Sequence, residues 1–179
     1  DLLALDLVDK KLVTDQIVLT LGYDAESLRD PAIRKAYRGE ITTDHYGRPI
    51  PRHAHGTANL DGPTASSRLL TDAVTALFER IADPTLLVKR VNVTANHVVD
   101  EGKATQAHTA MQLDLFTDYA AVNARRENEK AMLEREKKTQ QAMLAIKRKL
   151  GKNAIIKGMN LEEGATTLAR NAQIGGHKA

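Results

Sequence analysis

Residues 119–150 contain no glycine or proline and carry many charged side chains. Because glycine and proline are the strongest helix breakers, this segment predicts one continuous helix of roughly 45 Å, which Gly151 ends. Its apolar positions do not keep a seven-residue repeat, which argues against a coiled coil. We therefore expect the folded core to be built by the residues that precede this helix.

The composition limits what that core can be. Hydrophobic residues make up 42% of the chain but aromatic residues only 3%, so we expect a modest aliphatic core. The absence of cysteine excludes disulfides and thiolate zinc sites and fits a reducing, cytoplasmic setting. No apolar run reaches about 18 residues, so we expect no membrane contact. Residues 1–110 hold 13 Lys and Arg against 15 Asp and Glu, whereas residues 111–179 hold 13 against 8.

Before residue 101, hydrophobic periodicity predicts a succession of short elements. Helices are predicted at the start of the chain, after Asp30 and over 66–82, and strands over 14–24, about 40–45, about 51–60 and 86–99. No N-cap residue precedes the apolar residues of the first predicted helix. We therefore expect that the chain starts inside a helix, as a fragment cut from a longer chain would. The pattern predicts an α+β fold in residues 1–100: two layers, with a roughly four-stranded, mostly antiparallel sheet and helices on one face.

The remaining segments complete the predicted organisation. Residues 101–118 have the composition of a linker, and residues 119–150 form the long charged helix. Residues 151–179 form a basic tail, in which Asn160 and Glu163 resemble a capping box and predict a short helix.

One face of the predicted sheet is polar, because side chains alternate along each strand. If every apolar face meets the helices, the opposite face carries almost no carboxylate. Its side chains are Gln16, Thr20, His53, His55, Thr57, Asn59, Arg90, Asn92 and Thr94. Neutral donors with arginine suit phosphate and sugar contacts, and the helix start beside Ser66, Ser67 and Arg68 could add an anion site. The alternative is a face simply exposed to water, as is common in antiparallel sheets.

No pattern in the sequence indicates an active site. His53 and His55 have a spacing found at some metal sites, but a third ligand is not evident, and a pair facing DNA or solvent explains them better. Phosphate-loop, nucleophile-elbow and zinc-protease patterns are absent, as are paired carboxylates for two magnesium ions. We therefore predict no enzymatic activity and no cofactor for this chain.

A short hydrophobic segment lies in the predicted linker, where there is no predicted core for it to pack against. Its sequence, QLDLF, resembles the bacterial sliding-clamp-binding pentapeptide of the type Gln-Leu-Ser/Asp-Leu-Phe. The resemblance implies that Leu115 and Phe116 insert into an apolar pocket on the clamp. Leu113 would lie alongside them, and Gln112 would make polar contacts at the rim. Burying such side chains supplies roughly 1.5–3 kcal/mol each before ordering costs, which suits a micromolar, exchangeable contact.

Longer stretches resemble the C-terminal little-finger domain of Y-family translesion DNA polymerases, most closely the UmuC-like bacterial branch. They are LVTDQIVLTLGYD, HAHGTANLDGPTASSRLLTDAVTALFERI and VKRVNVTANHVV, and the closing GATTLARNAQIGGHKA is similar to the end of those proteins. The resemblance implies a four-stranded sheet with two helices behind it. Such a domain binds the DNA backbone independently of the DNA sequence. It occurs in proteins that act in DNA damage tolerance and the SOS response. DNA contact is then assigned to His53, His55, Thr57, Asn59, Arg68, Arg90, Asn92 and Thr94.

The resemblance is incomplete. The palm and fingers of the family, whose carboxylates bind catalytic Mg²⁺, have no counterpart in this chain. The resemblance therefore implies that the parent protein is a polymerase. It also implies that this chain alone does not polymerise DNA. The first little-finger strand is also missing and the opening helix is truncated, which leaves a sheet edge where another copy could pair. The second interpretation is therefore a protein-interaction or self-association module acting through the long C-terminal helix, with a merely solvated sheet.

Overall fold

The computed structural model describes residues 1–104, 119–174 and 177–178, and the chain forms two compact units, Asp1–Met111 and Gln112–Ala179. The first unit has an antiparallel sheet with helices on one face, and the second contains a long helix, which confirms the predicted α+β fold class. No helix in the described residues is both long and apolar enough to cross a membrane.

Helices and strands alternate along the described part of the first unit. In chain order they are α1 (Leu2–Asp9), β1 (Leu12–Tyr23), a 3-10 turn (Ala25–Leu28), α2 (Pro31–Ala36), β2 (Ile41–Thr43), β3 (Pro49–Pro51), β4 (Ala54–Thr64), α3 (Ser67–Ile81), β5 (Val88–Asn96), β6 (Val99–Asp100) and α4 (Glu101–Ala104). β1 is central, with β4 on one side and β5 on the other, all antiparallel. β6 continues the register of β5 along the start of β1.

The core lies between the sheet and two helices. The alternate β1 side chains Ile17, Leu19 and Leu21 are fully buried, because β1 is flanked on both sides and covered by the helix layer. α3 packs on β4 and β1 through Leu77 and its neighbours, while α1 packs on β1 and α3. Ser66 caps α3, its Oγ accepting the backbone N–H of Leu69 at 3.2 Å.

The segment between β1 and β4 differs from its prediction. Pro49–Pro51 does not begin the strand predicted over 51–60, because it pairs with Ile41–Thr43 in a separate two-stranded hairpin. The strand that joins the main sheet starts at Ala54. A proline cannot donate to a ladder of backbone hydrogen bonds, so Pro49 and Pro51 are excluded from the sheet interior and fit this short hairpin.

The helix layer is narrower than the sheet. On β5, Val91 opposes Leu21 and Val93 opposes Leu19, so both valines share the helix side of the sheet. Val91 is nevertheless 54% exposed and Val93 37% exposed, because α3 covers β4 and β1. The expectation that every apolar strand face meets the helices is therefore wrong for β5 at Val91 and Val93, although Ala95 of the same strand packs against the core.

In the described part of the second unit, the first element is α5 (Tyr119–Leu150), which matches the predicted helix. After it come a 3-10 turn (Gly158–Leu161), α6 (Thr167–Asn171), β7 (Gln173–Ile174) and β8 (His177–Lys178). The predicted helix start at Asn160 is wrong. Asn160 instead accepts a hydrogen bond on Oδ1 from the Thr167 hydroxyl at 3.0 Å, and Gly164 follows with a φ of 82°.

Candidate nucleic-acid interface

The strand register sets polar side chains in rows across the sheet face that lies opposite the helices. This surface, the polar face, has four rows: Asn59–Gln16–Asn96, Thr57–Val18–Thr94, His55–Thr20–Asn92 and Gly22–Arg90. Successive rows are about 7 Å apart, because the side chains of one face repeat every second residue along a strand. The face therefore presents hydrogen-bonding groups at a regular spacing.

Hydrogen bonds between neighbouring strands hold several of these side chains in place. Asn96 Nδ2 donates to Gln16 Oε1 at 3.0 Å, and Gln16 Nε2 donates to Asn59 Oδ1 at 2.9 Å. Thr20 Oγ1 and His55 Nδ1 lie 3.1 Å apart in a second cross-strand hydrogen bond. Ordering these side chains in advance lowers the entropy cost of any ligand that they contact.

The charge on the polar face is positive. None of the side chains in its four rows is a carboxylate, and Arg90 forms no ion pair with any described residue. Gly22 lies beside Arg90, where a Cβ would come 3.3 Å from the Arg90 Cβ, so the glycine leaves room for that side chain. The arrangement suits an anionic ligand that also accepts hydrogen bonds from neutral donors.

Six of the eight side chains predicted to contact DNA share this face. They are His55, Thr57, Asn59, Arg90, Asn92 and Thr94.

The other two lie elsewhere. His53 precedes β4 and is exposed outside the ladder, because the strand starts one residue later. Arg68 lies in the first turn of α3, in the helix layer behind the sheet, with Nη1 3.8 Å from Asp72 Oδ2. The amide of Leu69 at that helix start is already bonded to Ser66, so the predicted anion site there gains no support.

Two further predictions concern other ligands. The clamp-binding residues Gln112, Leu113, Leu115 and Phe116 lie outside the described residues. Within residues 1–104, 119–174 and 177–178, no three His, Asp or Glu side chains group as metal ligands would, so His53 and His55 gain no third ligand there.

A groove lies at the Gly22–Arg90 end of the polar face. It measures about 400 Å³ and is bounded by the tip of the β2–β3 hairpin on one side and by the ends of β1 and β5 on the other. This space, the hairpin groove, is lined by Gly22, Tyr23, Ala25, Asp44, His45, Tyr46, Arg48, Ile50, Lys89 and Arg90. Arg90 therefore belongs both to the polar face and to the groove.

Asp44 organises the hairpin tip. Its Oδ1 accepts the backbone N–H groups of Tyr46 and Arg48, each at 2.9 Å, and its Oδ2 accepts Arg48 Nε at 2.8 Å. The hydrogen bond from the Arg48 side chain is the main cause that lowers the pKa of Asp44 from its usual value. Gly47 turns the chain with a φ of 75°. The tip is thus a small hydrogen-bonded unit rather than an open loop.

Lys89 occupies the opposite wall of the groove. Its Nζ lies 3.0 Å from Asp24 Oδ2. The pKa of Asp24 is lowered first by the backbone N–H of Glu26 and then by Lys89. Of the groove cations, Arg48 and Lys89 thus pair with nearby aspartates, whereas Arg90 forms no ion pair with a described residue.

Several residues of this surface were not predicted from the sequence. Asn96 continues the polar alternation of β5 by one further step, so the pattern that identified Asn92 and Thr94 could have included it. Gln16 and Thr20 were placed on the correct face but not among the DNA contacts. Tyr46 lies between the strands predicted over about 40–45 and about 51–60, and nothing local indicated that the hairpin would lie beside β5.

Comparisons with known protein families, curated proteins and solved structures found no match to this chain.

Proposed function

We propose that this chain is a non-catalytic, cytoplasmic DNA-binding and clamp-binding module, the C-terminal region of a bacterial translesion DNA polymerase. The observation that carries the proposal is the polar face: ordered neutral donors with Arg90, free of carboxylates, on the side of the sheet away from the helices. The sequence resemblance to little-finger domains supports the same function. The proposal places polymerisation and its Mg²⁺ in other domains of the parent protein.

The chemistry of the polar face favours backbone contact over base reading. Threonine, asparagine and glutamine side chains donate to phosphate and sugar oxygens, and a broad sheet cannot enter a groove as one helix does. Affinity should therefore be independent of sequence and should fall as salt rises, because bound phosphates release counterions.

A duplex-binding titration at several salt concentrations tests this proposal. Arg90→Ala should weaken binding to any duplex sequence and reduce the slope of log K against log salt by about 1. Arg68→Ala is the matched control, since that arginine lies in the helix layer, and it should leave both quantities unchanged. Asn92→Asp, which places a carboxylate on the face at nearly constant shape, should weaken binding further. Equal effects of the two arginine variants would refute the assignment of the face.

The clamp contact is a separate part of the proposal and rests on the QLDLF sequence. Leu115→Ala combined with Phe116→Ala should abolish binding to purified bacterial sliding clamp, because both apolar anchors are removed. Asp114→Ser is the matched control, since the pentapeptide type accepts either residue at that position. Duplex affinity should stay unchanged in both variants. Clamp affinity that survives in the double variant would refute the motif assignment.

Self-association is a second candidate, and the outer edge of β5 favours it. On the β4 edge, Arg80 Nη2 donates to the Thr57 carbonyl at 2.9 Å, and Pro63 within the strand has no backbone N–H to donate, so both features protect that edge. The outer edge of β5 pairs with no described residue and carries the exposed Val91 and Val93. A second copy could extend the sheet there.

Sedimentation of the whole chain tests this candidate. A concentration-dependent dimer that Val91→Lys abolishes would support pairing at the β5 edge. A dimer that survives this change but disappears when the chain ends at Asp118 would instead support association through α5. A monomer at all concentrations would refute both routes.

A further inference from the structure

We propose that the hairpin groove binds one unpaired nucleotide, with its base stacked on Tyr46 and its phosphate held by Arg90. This inference rests on the proposed function in one respect, since Arg90 also belongs to the polar face. It adds a site for single-stranded nucleic acid at the end of a surface proposed to hold duplex backbone.

The exposure of Tyr46 is the first observation behind this inference. Its side chain is 79% exposed at the hairpin tip, so it contributes little to the core. The chain has only four tyrosines, two phenylalanines and no tryptophan. An exposed ring in so aromatic-poor a protein needs another explanation, and stacking on bases is the common use of such rings in single-strand binding.

The second observation is that the tip holds this ring in place. The Arg48 guanidinium carbon lies 5.3 Å from the centre of the Tyr46 ring, and the His45 ring meets it edge-on at 5.4 Å. The Asp44 hydrogen bonds fix the backbone that carries all three side chains. A ring ordered in this way loses little conformational entropy when a base stacks on it.

The third observation is the size and charge of the groove. A volume of about 400 Å³ lies within the range of small-ligand sites. Its charged lining residues are Asp44, Arg48, Lys89 and Arg90, which sum to a positive charge. Because Arg48 already binds Asp44 and Lys89 binds Asp24, Arg90 is the cation positioned to meet the phosphate.

The proposal can be tested by anisotropy titrations of the full chain with three ligands. They are a blunt duplex, the same duplex with a single-stranded extension, and an unpaired oligothymidine. The extended duplex should bind more tightly than the blunt one. Tyr46→Leu should weaken binding to the extended duplex and the oligothymidine by roughly 5- to 100-fold, with blunt-duplex affinity unchanged. Tyr46→Phe keeps the ring and should behave as the unsubstituted chain does.

A fluorescent variant gives a second readout. Tyr46→Trp introduces the sole tryptophan of the chain, and its emission should be quenched by oligothymidine and not by blunt duplex. Absence of quenching, or equal oligothymidine affinity of Tyr46→Leu and Tyr46→Phe, would overturn the inference. Displacement of oligothymidine by an equal concentration of poly-glutamate would also overturn it, by pointing to an acidic peptide as the occupant.

The two proposals fail in different ways. If duplex binding depends on Arg90 but Tyr46→Leu changes nothing, the hairpin groove is not a nucleotide site and the polar face keeps its proposed role. If the chain binds no duplex but binds oligothymidine through Tyr46, the proposed binding of duplex DNA by the polar face is wrong. The hairpin groove then keeps its proposed role as a nucleotide site.

Discussion

Gly56 of β4 lies against Leu77 and Ile81 of α3, and replacing it by alanine tests the packing that places the polar face. A Cβ at this position would come 2.8 Å from Leu77 Cδ1 and 3.0 Å from Ile81 Cγ2. Leu77 is 1% exposed and packs against Leu19 and Leu21, so it has little room to move. Overpacking a core typically costs about 1–3 kcal/mol, while alanine in a strand gains about 0.5–1 kcal/mol over glycine. We expect Gly56→Ala to destabilise the first unit by about 1 kcal/mol.

Gly62 in the same strand provides the control. An added Cβ there would come within 4 Å of no atom in the described part of the chain, so Gly62→Ala should stabilise the unit by about 0.5–1 kcal/mol. Urea-dependent hydrogen exchange of β1 peptides measures the first unit separately from α5. The midpoint for Gly56→Ala should fall by roughly 0.5 M and that for Gly62→Ala should rise. A Gly56→Ala protein as stable as the parent would show that α3 does not pack against β4 as described.

Two further predictions concern single hydrogen-bonded groups. The pKa of Asp24 lies below its usual 3.8 because Glu26 and Lys89 donate to the carboxylate, so the stability it contributes is present above pH 3.8 and is lost as the pH falls through the lowered value. Asp24→Asn should therefore flatten the acid side of the urea-midpoint profile, and an unchanged profile would contradict this. Lys147 Nζ donates to the carbonyls of residues 152 and 155 at 2.7 and 2.6 Å. Lys147→Met should speed hydrogen exchange of residues 152–155, and unchanged exchange there would show that these bonds do not hold the turn.

The sequence predicted the faces of the sheet well, because side-chain alternation is a local property of a strand. Ile17, Leu19 and Leu21 form the buried face of β1, as their spacing indicates. The long helix was equally well predicted, since a segment without glycine or proline has few alternatives.

What the sequence could not predict depends on contacts between distant elements. Alternation along β5 assigns Val91 and Val93 to the apolar face, but it contains no information on how far α3 extends across the sheet. The row formed by Gln16, Asn59 and Asn96 depends on the register of three strands, which a local pattern does not fix. Asn160 had a favourable capping pattern, but its bond to a residue farther along the chain replaced the predicted helix start.

The amide row on the polar face has a direction. Each of the two hydrogen bonds uses the NH₂ group of one amide and the oxygen of the next, running from Asn96 through Gln16 to Asn59. The row therefore ends in an NH₂ group on the β4 flank and in a carbonyl oxygen on the β5 flank. The β4 end can donate to a phosphate oxygen, whereas the β5 end can only accept a hydrogen bond, so the two flanks of the row differ in the groups that they can bind.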